Sequence, residues 1–133
     1  MVLIAAMALF ATGCSAKKET ASVDGTTVYA DGDVIGKGAK QFTLVIIDKD
    51  DKEIKLTVKT DKDLVGDALL DNNVISGEES QYGLYVKTVN GITADYDVDK
   101  TYWGFYIDGE YAMTGVDVTE IVEGTTYTLS VDE

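Results

Sequence analysis

The chain has 133 residues, room for one domain at about 150 residues each, and its 11 basic residues, all Lys, stand against 24 acidic ones for a net charge of −13. With no His, no Pro and one Cys, it excludes imidazole-based nucleophile systems, His-ligated zinc, an internal disulfide and a Cys-x-x-Cys redox pair. The acidic balance argues against a nucleic-acid partner, which needs clustered cations to release counterions.

Residues 1–13 carry no charge. The apolar run Met1 to Ala11 is shorter than the about 20 residues a membrane-spanning helix requires and has the length of a signal-peptide apolar region. It ends in Ala11-Thr12-Gly13-Cys14, which resembles a bacterial lipobox. Ala11 stands where that motif usually has Leu, and no basic stretch precedes the run. Residues 1–13 are therefore expected to be a lipoprotein signal peptide, and Cys14 the lipidated first residue of the mature chain. Acyl chains hold a protein to a membrane by about 0.8 kcal/mol per buried methylene. The expected location is the outer face of the cell membrane, with contact to lipid through the anchor only.

Residues 14–40 read as a flexible linker rich in Lys, Ser, Thr, Gly and Asp. Val28-Tyr29-Ala30 is a short strand or the start of the fold. Gly36-Lys37-Gly38-Ala39-Lys40 lacks the spacing of a phosphate loop. Residues 41–133 read as the folded domain. Phe42-Thr43-Leu44-Val45-Ile46-Ile47 suits a buried strand. Asp48 to Lys52 is a turn. Glu53 to Lys59 alternates, with Ile54, Leu56 and Val58 on one face. Thr60-Asp61 predicts a helix N-cap, and Leu64, Val65, Ala68 and Leu69 one apolar stripe ended by Asp71-Asn72-Asn73. Gly66 inside that helix implies a close approach to the sheet.

Further along, Gly83 to Val89 reads as a strand closing on the turn Asn90-Gly91, and Thr101 to Ile107 as a strand closing on Asp108-Gly109. Glu110 to Met113 returns, and Glu123-Gly124 turns into a last strand over 126–131. Two strands, a helix and then further strands give the order of an α+β, β-grasp-like fold, a mixed sheet of hairpins packed on one helix.

Three constellations could carry chemistry. Asp95, Asp97 and Asp99 alternate like calcium-loop ligands, but Lys100 replaces the loop Gly and no bidentate Glu follows. They are a candidate metal set or a solvated acidic loop. Paired carboxylates for hydrolysis are not distinguished by an apolar setting, so no enzymatic role is expected. The strand Thr101 to Ile107 is the third. Alternation puts Trp103, Phe105 and Ile107 on one face, as core. It puts Tyr102, Gly104 and Tyr106 on the other, an aromatic surface with a glycine gap that a flat ligand could approach.

From Thr60 to Val131 the sequence resembles the C-terminal β-domain of transcobalamin and intrinsic factor and an allied bacterial family of unknown function. Leu64-Val65-Gly66-Asp67-Ala68-Leu69, Tyr82 to Gly91, Tyr102-Trp103-Gly104-Phe105-Tyr106-Ile107-Asp108-Gly109, Gly115 and Glu123-Gly124 carry the likeness. The resemblance implies a soluble-ligand-binding β-grasp in which Tyr82, Tyr85, Asn90, Tyr102 and Tyr106 contact a small molecule. The candidate ligand is a corrinoid. No α-domain accompanies it here, so binding would be weak or completed by a partner. The alternatives are a protein-interaction module that meets a surface or transporter protein, and a calcium-type metal-binding surface protein.

Overall fold

The computed structural model describes residues 22–23, 25–81 and 83–133. The expected signal peptide, Cys14 and Tyr82 lie outside them. In chain order the elements are β1 (Ser22–Val23), β2 (Thr26–Thr27), β3 (Val34–Gly36), β4 (Lys40–Ile47), β5 (Glu53–Thr60), α1 (Val65–Asp71) and β6 (Ile75–Ser80). There follow β7 (Gly83–Val89), β8 (Ile92–Thr93), α2 (Tyr96–Asp99), β9 (Tyr102–Ile107), β10 (Glu110–Tyr111), a 3-10 turn (Val116–Val118) and β11 (Thr126–Asp132).

The main sheet runs β10-β9-β11-β4-β5-β3 and is mixed. β11 lies parallel to β4, and β3 parallel to β5; the other pairs are antiparallel. A second sheet, β8-β7-β6, stands beside it. The fold is α+β, with a small helix on a predominantly β frame.

Alternation decides the two faces. Leu44, Leu56 and Val58 of β4 and β5, with Trp103 and Phe105 of β9 and Leu129 of β11, turn to one side. There they meet Val65, Ala68 and Leu69 of α1, Val86 and Val89 of β7, and Val116. Each fully buried Leu or Val of this set contributes about 1.5–3 kcal/mol relative to an exposed one. Val45, though buried, stays outside that cluster because it belongs to the opposite face.

Two tight turns fix register. Asn90 (φ 51) and Gly91 (φ 83), then Asp108 (φ 48) and Gly109 (φ 87), take left-handed backbone at both central positions. That is the conformation a two-residue hairpin demands, and Asn-Gly or Asp-Gly meets it most cheaply.

Several expectations are corrected. The fold begins before residue 41: Thr26 is buried, and Ile35 of β3 is part of the core. The stretch over 26–40 is thus no free linker, and Val28-Tyr29-Ala30 is not a strand but belongs to the start of the fold, with Tyr29 packed against the core. The helix starts later than Thr60-Asp61. Its N-cap is Leu64, without a side-chain cap, while Thr60 Oγ1 accepts from Lys62 N–H and Asp61 from Ala39 N–H. Gly66 packs on the 3-10 turn, not the sheet: a Cβ there would lie 3.0 Å from Asp117 Cα and Val116 O. The β6 strand over 75–80 was not expected, because Gly77-Glu78-Glu79-Ser80 has no apolar alternation.

Candidate functional site

Strand β9 divides the aromatic residues between two sides of the molecule. Trp103 and Phe105 form the floor of a groove. Its first part, a cavity of about 170 Å³, lies between β7 and β9 and is lined by Leu84, Tyr85, Val86, Tyr102, Trp103 and Gly115, among others. Its second part, about 350 Å³, continues over Trp103 and Phe105 toward Tyr111, Ala112 and Met113. Both parts share Trp103, Phe105 and Gly115.

The groove is built by three devices. Trp103 Nε1–H donates to the Lys87 carbonyl at 3.0 Å, which ties β9 to β7 and fixes the indole on the floor. Asp117 accepts from Leu84 N–H at 3.2 Å, which holds the 3-10 turn against the start of β7. Gly83 and Gly115 leave space for that carboxylate, since a Cβ at either would come within 2.8 Å of it. The rim is apolar and open: Met113 is 92 % exposed and Tyr111 59 %.

The other face of β9 holds Tyr102 and Tyr106. Registry places Tyr106 beside Thr128 and Gly104 beside Ser130, and Tyr111 beside Tyr106. Tyr106 Oη–H donates to Asp132 Oδ2 at 2.6 Å, and Ser130 Oγ–H to Asp132 Oδ1 at 3.2 Å. The Tyr106 and Tyr111 rings meet edge to face, 5.5 Å apart. The hydrogen bond to Asp132, followed by burial, pushes the Tyr106 phenol up to about 12. Burial, and then the neighbouring Tyr111 and Asp132, raise the Tyr102 phenol as well. The glycine gap at Gly104 is not open. The Asp132 carboxylate and the Tyr106 ring fill the space a Cβ would occupy.

The residues expected to act together are therefore separated. Tyr85 and Tyr102 line the same cavity, whereas Tyr106 borders another concavity, with Ile47, Gly109, Thr128 and Ser130. Asn90 belongs to neither. It is 3 % exposed, and its side chain grips the backbone of Tyr29: Oδ1 accepts from Tyr29 N–H at 2.7 Å, and Nδ2–H donates to Tyr29 O at 3.1 Å. Asn90 is a structural clamp, which corrects its expected place as a ligand contact. Tyr82 lies outside the described residues.

Asp95, Asp97 and Asp99 also part company. They sit on α2 and its cap rather than on an extended loop. Asp95 caps the helix by accepting from Asp97 N–H and lies 3.7 Å from Lys87 Nζ. Asp99 accepts from Lys49 Nζ at 2.8 Å and from Thr101. The Lys49 bond, then the Thr101 hydroxyl, hold its carboxyl well below the usual range. Among the described residues, no three carboxylates, thiols or imidazoles gather to hold a metal ion.

The expected core position of Trp103 is met, and Tyr85 and Tyr102 line one cavity. Sequence reasoning missed the loop 112–116 that walls the groove, which has no periodic signal. It also missed Thr128, Ser130 and Asp132, whose alternation along β11 was readable but whose neighbour β9 was not.

The crystal structure of a "putative metal binding protein" from Ruminococcus gnavus ATCC 29149 is 32% identical over 71% of this chain and 98% of that one, with a TM-score of 0.68. Haptocorrin in complex with Cbi aligns over 71% of this chain at 19% identity and a TM-score of 0.53, a likeness of fold. The alignment spans 25% of the haptocorrin chain. No curated protein matches. The family described as "Domain of unknown function (DUF4430)" matches over residues 63–132, from just before α1 to the end of β11, and the chain belongs to that family.

Proposed function

We propose that this protein is a non-catalytic binding module that holds a small molecule with a flat ring face in the groove between β7 and β9. A corrinoid is the candidate ligand. The observation that carries the reading is the continuous floor of Trp103 and Phe105 under two adjoining cavities with an exposed apolar rim. Binding sites for small molecules are concave and mostly apolar, with a few polar groups that orient the ligand. Here Tyr85 and Tyr102 line one end. The fold likeness to haptocorrin in complex with Cbi supports the ligand class. The cavities are smaller than a corrinoid, so one edge enters the groove and a partner covers the rest. The chain is anchored by lipid on Cys14 at the outer face of the membrane, where such a ligand is captured before transport.

The test is equilibrium dialysis of the full chain against cobinamide and cobalamin, with Trp103 fluorescence as a second readout. Trp103 is the single Trp of the chain and lies on the groove floor. Saturable retention with quenching, weakened about tenfold by Tyr85→Ala or Tyr102→Ala, is the expected result. No retention at high protein concentration removes stand-alone corrinoid binding. A second reading, a protein-interaction module, is favoured by one observation: Met113, Val118 and Val122 stand exposed along one loop. The metal reading suggested by the name of the Ruminococcus gnavus protein finds no gathered carboxylates among the described residues.

A further inference from the structure

The outward face of the main sheet carries a second concavity, separate from the groove. Helix α1 and the β6-β7-β8 sheet both pack on the opposite face, so nothing in the described fold covers it. It measures about 230 Å³ and is lined by Ile47, Tyr106, Gly109, Thr128 and Ser130. We propose that this concavity binds a neutral, hydroxyl-bearing ring of the monosaccharide class.

Charge, hydrogen-bond polarity and size select that class. No lining residue is charged. The carboxylate beside it, Asp132, disfavours an anion in a chain of net charge −13. Asp132 keeps its charge while its oxygens accept hydroxyl protons from Tyr106 and Ser130, so a cationic ring is the competing class that the glucosamine titration below decides.

Those two bonds also set what the ligand must bring. The Tyr106 and Ser130 hydroxyl protons point to Asp132, so their remaining lone pairs face outward as acceptors. Tyr106 stays protonated throughout the physiological range, because its bond to Asp132 raises the phenol. A partner must therefore donate hydrogen bonds along one edge. The Ile47 side chain, the Thr128 methyl and the Tyr106 ring offer an apolar surface to its other side. A pyranose has that combination: C–H groups on the ring face and hydroxyls around the rim. The volume lies below the about 300–1,000 Å³ of sites for drug-sized ligands, which fits one ring and not an oligosaccharide.

The test records backbone amide shifts of the full chain during titration with glucose, galactose and N-acetylglucosamine. Glucuronate replaces the C6 hydroxymethyl by a carboxylate and glucosamine the C2 hydroxyl by an ammonium, so each keeps the ring and alters its charge. The expected result is saturable shifts at Ile47, Tyr106, Gly109, Thr128 and Ser130 with at least one neutral sugar. Its glucuronate counterpart should bind at least about tenfold more weakly, and glucosamine no better than glucose. Ser130→Ala, a mild change at a half-buried position, should weaken the neutral sugar by about threefold, and Tyr106→Ala by about tenfold. Shifts confined to the Tyr85–Trp103 groove would overturn the assignment. So would tighter binding of glucuronate or glucosamine, or the absence of saturable shifts with every neutral sugar. None of these outcomes bears on corrinoid retention, which is read at the other face.

Discussion

Replacing Asn90 separates a structural clamp from a ligand contact. Asn90→Ala removes two hydrogen bonds to the Tyr29 backbone, at 2.7 and 3.1 Å. Each is worth about 0.5–1.5 kcal/mol net, and more where a partly buried group is left unsatisfied. Position 90 also has φ 51, where a residue other than Gly, Asn or Asp costs about 1–2 kcal/mol. The two contributions sum to about 3 kcal/mol. For a domain of this size that lowers Tm by roughly 12–20 °C. Asn90→Gly recovers the backbone contribution but not the hydrogen bonds, and so falls between wild type and Asn90→Ala. Thermal unfolding of the full chain followed by circular dichroism measures all three. A Tm for Asn90→Ala within about 3 °C of wild type, together with lost ligand retention, would refute the clamp and restore Asn90 as a binding residue.

Tyr106 should be among the last phenols to ionise. Its folded pKa lies above that of free tyrosine, near 10, so its stabilising bond is complete below that pH and is lost as pH rises toward about 12. Tyrosinate absorbance of wild type minus Tyr106→Phe should show this late step; a difference midpoint near 10 would contradict the Tyr106–Asp132 bond. Asp99 runs the other way. Its carboxyl is held low by Lys49 and then Thr101, so its contribution is present above the unfolded pKa of about 3.9 and fades as pH falls toward the folded value. Lys49→Ala should move the Asp99 carboxyl titration, read by NMR, upward; an unmoved midpoint would remove the ion pair from solution. Tyr127→Phe strips the hydroxyl that accepts from Val122 N–H and donates to Glu120 O, at a cost of about 1–2 kcal/mol in chemical unfolding; a neutral effect would mean that water replaces it. Finally, Cys14→Ser should shift the protein from the membrane fraction to the soluble one and abolish acyl mass on the mature chain; membrane retention without that mass would rule out the lipid anchor.

The parts of the fold that were legible in the sequence depend on local information. Ile54, Leu56 and Val58 alternate, and the core receives them in that order. Asn90-Gly91 and Asp108-Gly109 are hairpin turns because their left-handed backbone is a property of those dipeptides. The face of Trp103 and Phe105 follows from period two alone. What failed depends on non-local partners. Thr60-Asp61 has the chemistry of a cap, but Ala39 N–H reaches Asp61 first and the helix opens at Leu64. Residues 26–40 read as linker by composition, yet β3 finds the parallel edge of β5, an attachment no local pattern announces.

The candidate site shows the same division at finer scale. Alternation assigns Tyr102, Gly104 and Tyr106 to one face, and the strand obeys it. From that, an open slot at Gly104 is a sound local inference. It fails because β11 lies beside β9 with Asp132 opposite Tyr102. The carboxylate then crosses Gly104 to reach Tyr106. Glycine at 104 thus admits a side chain of this same protein rather than a ligand. The filled gap orients two hydroxyls of the outer face, and it leaves the groove over Trp103 as the larger apolar opening on β9. Side-chain identity at 104 therefore acts through its neighbour in the sheet, β11, which lies between β9 and β4 and pairs with β4 in parallel.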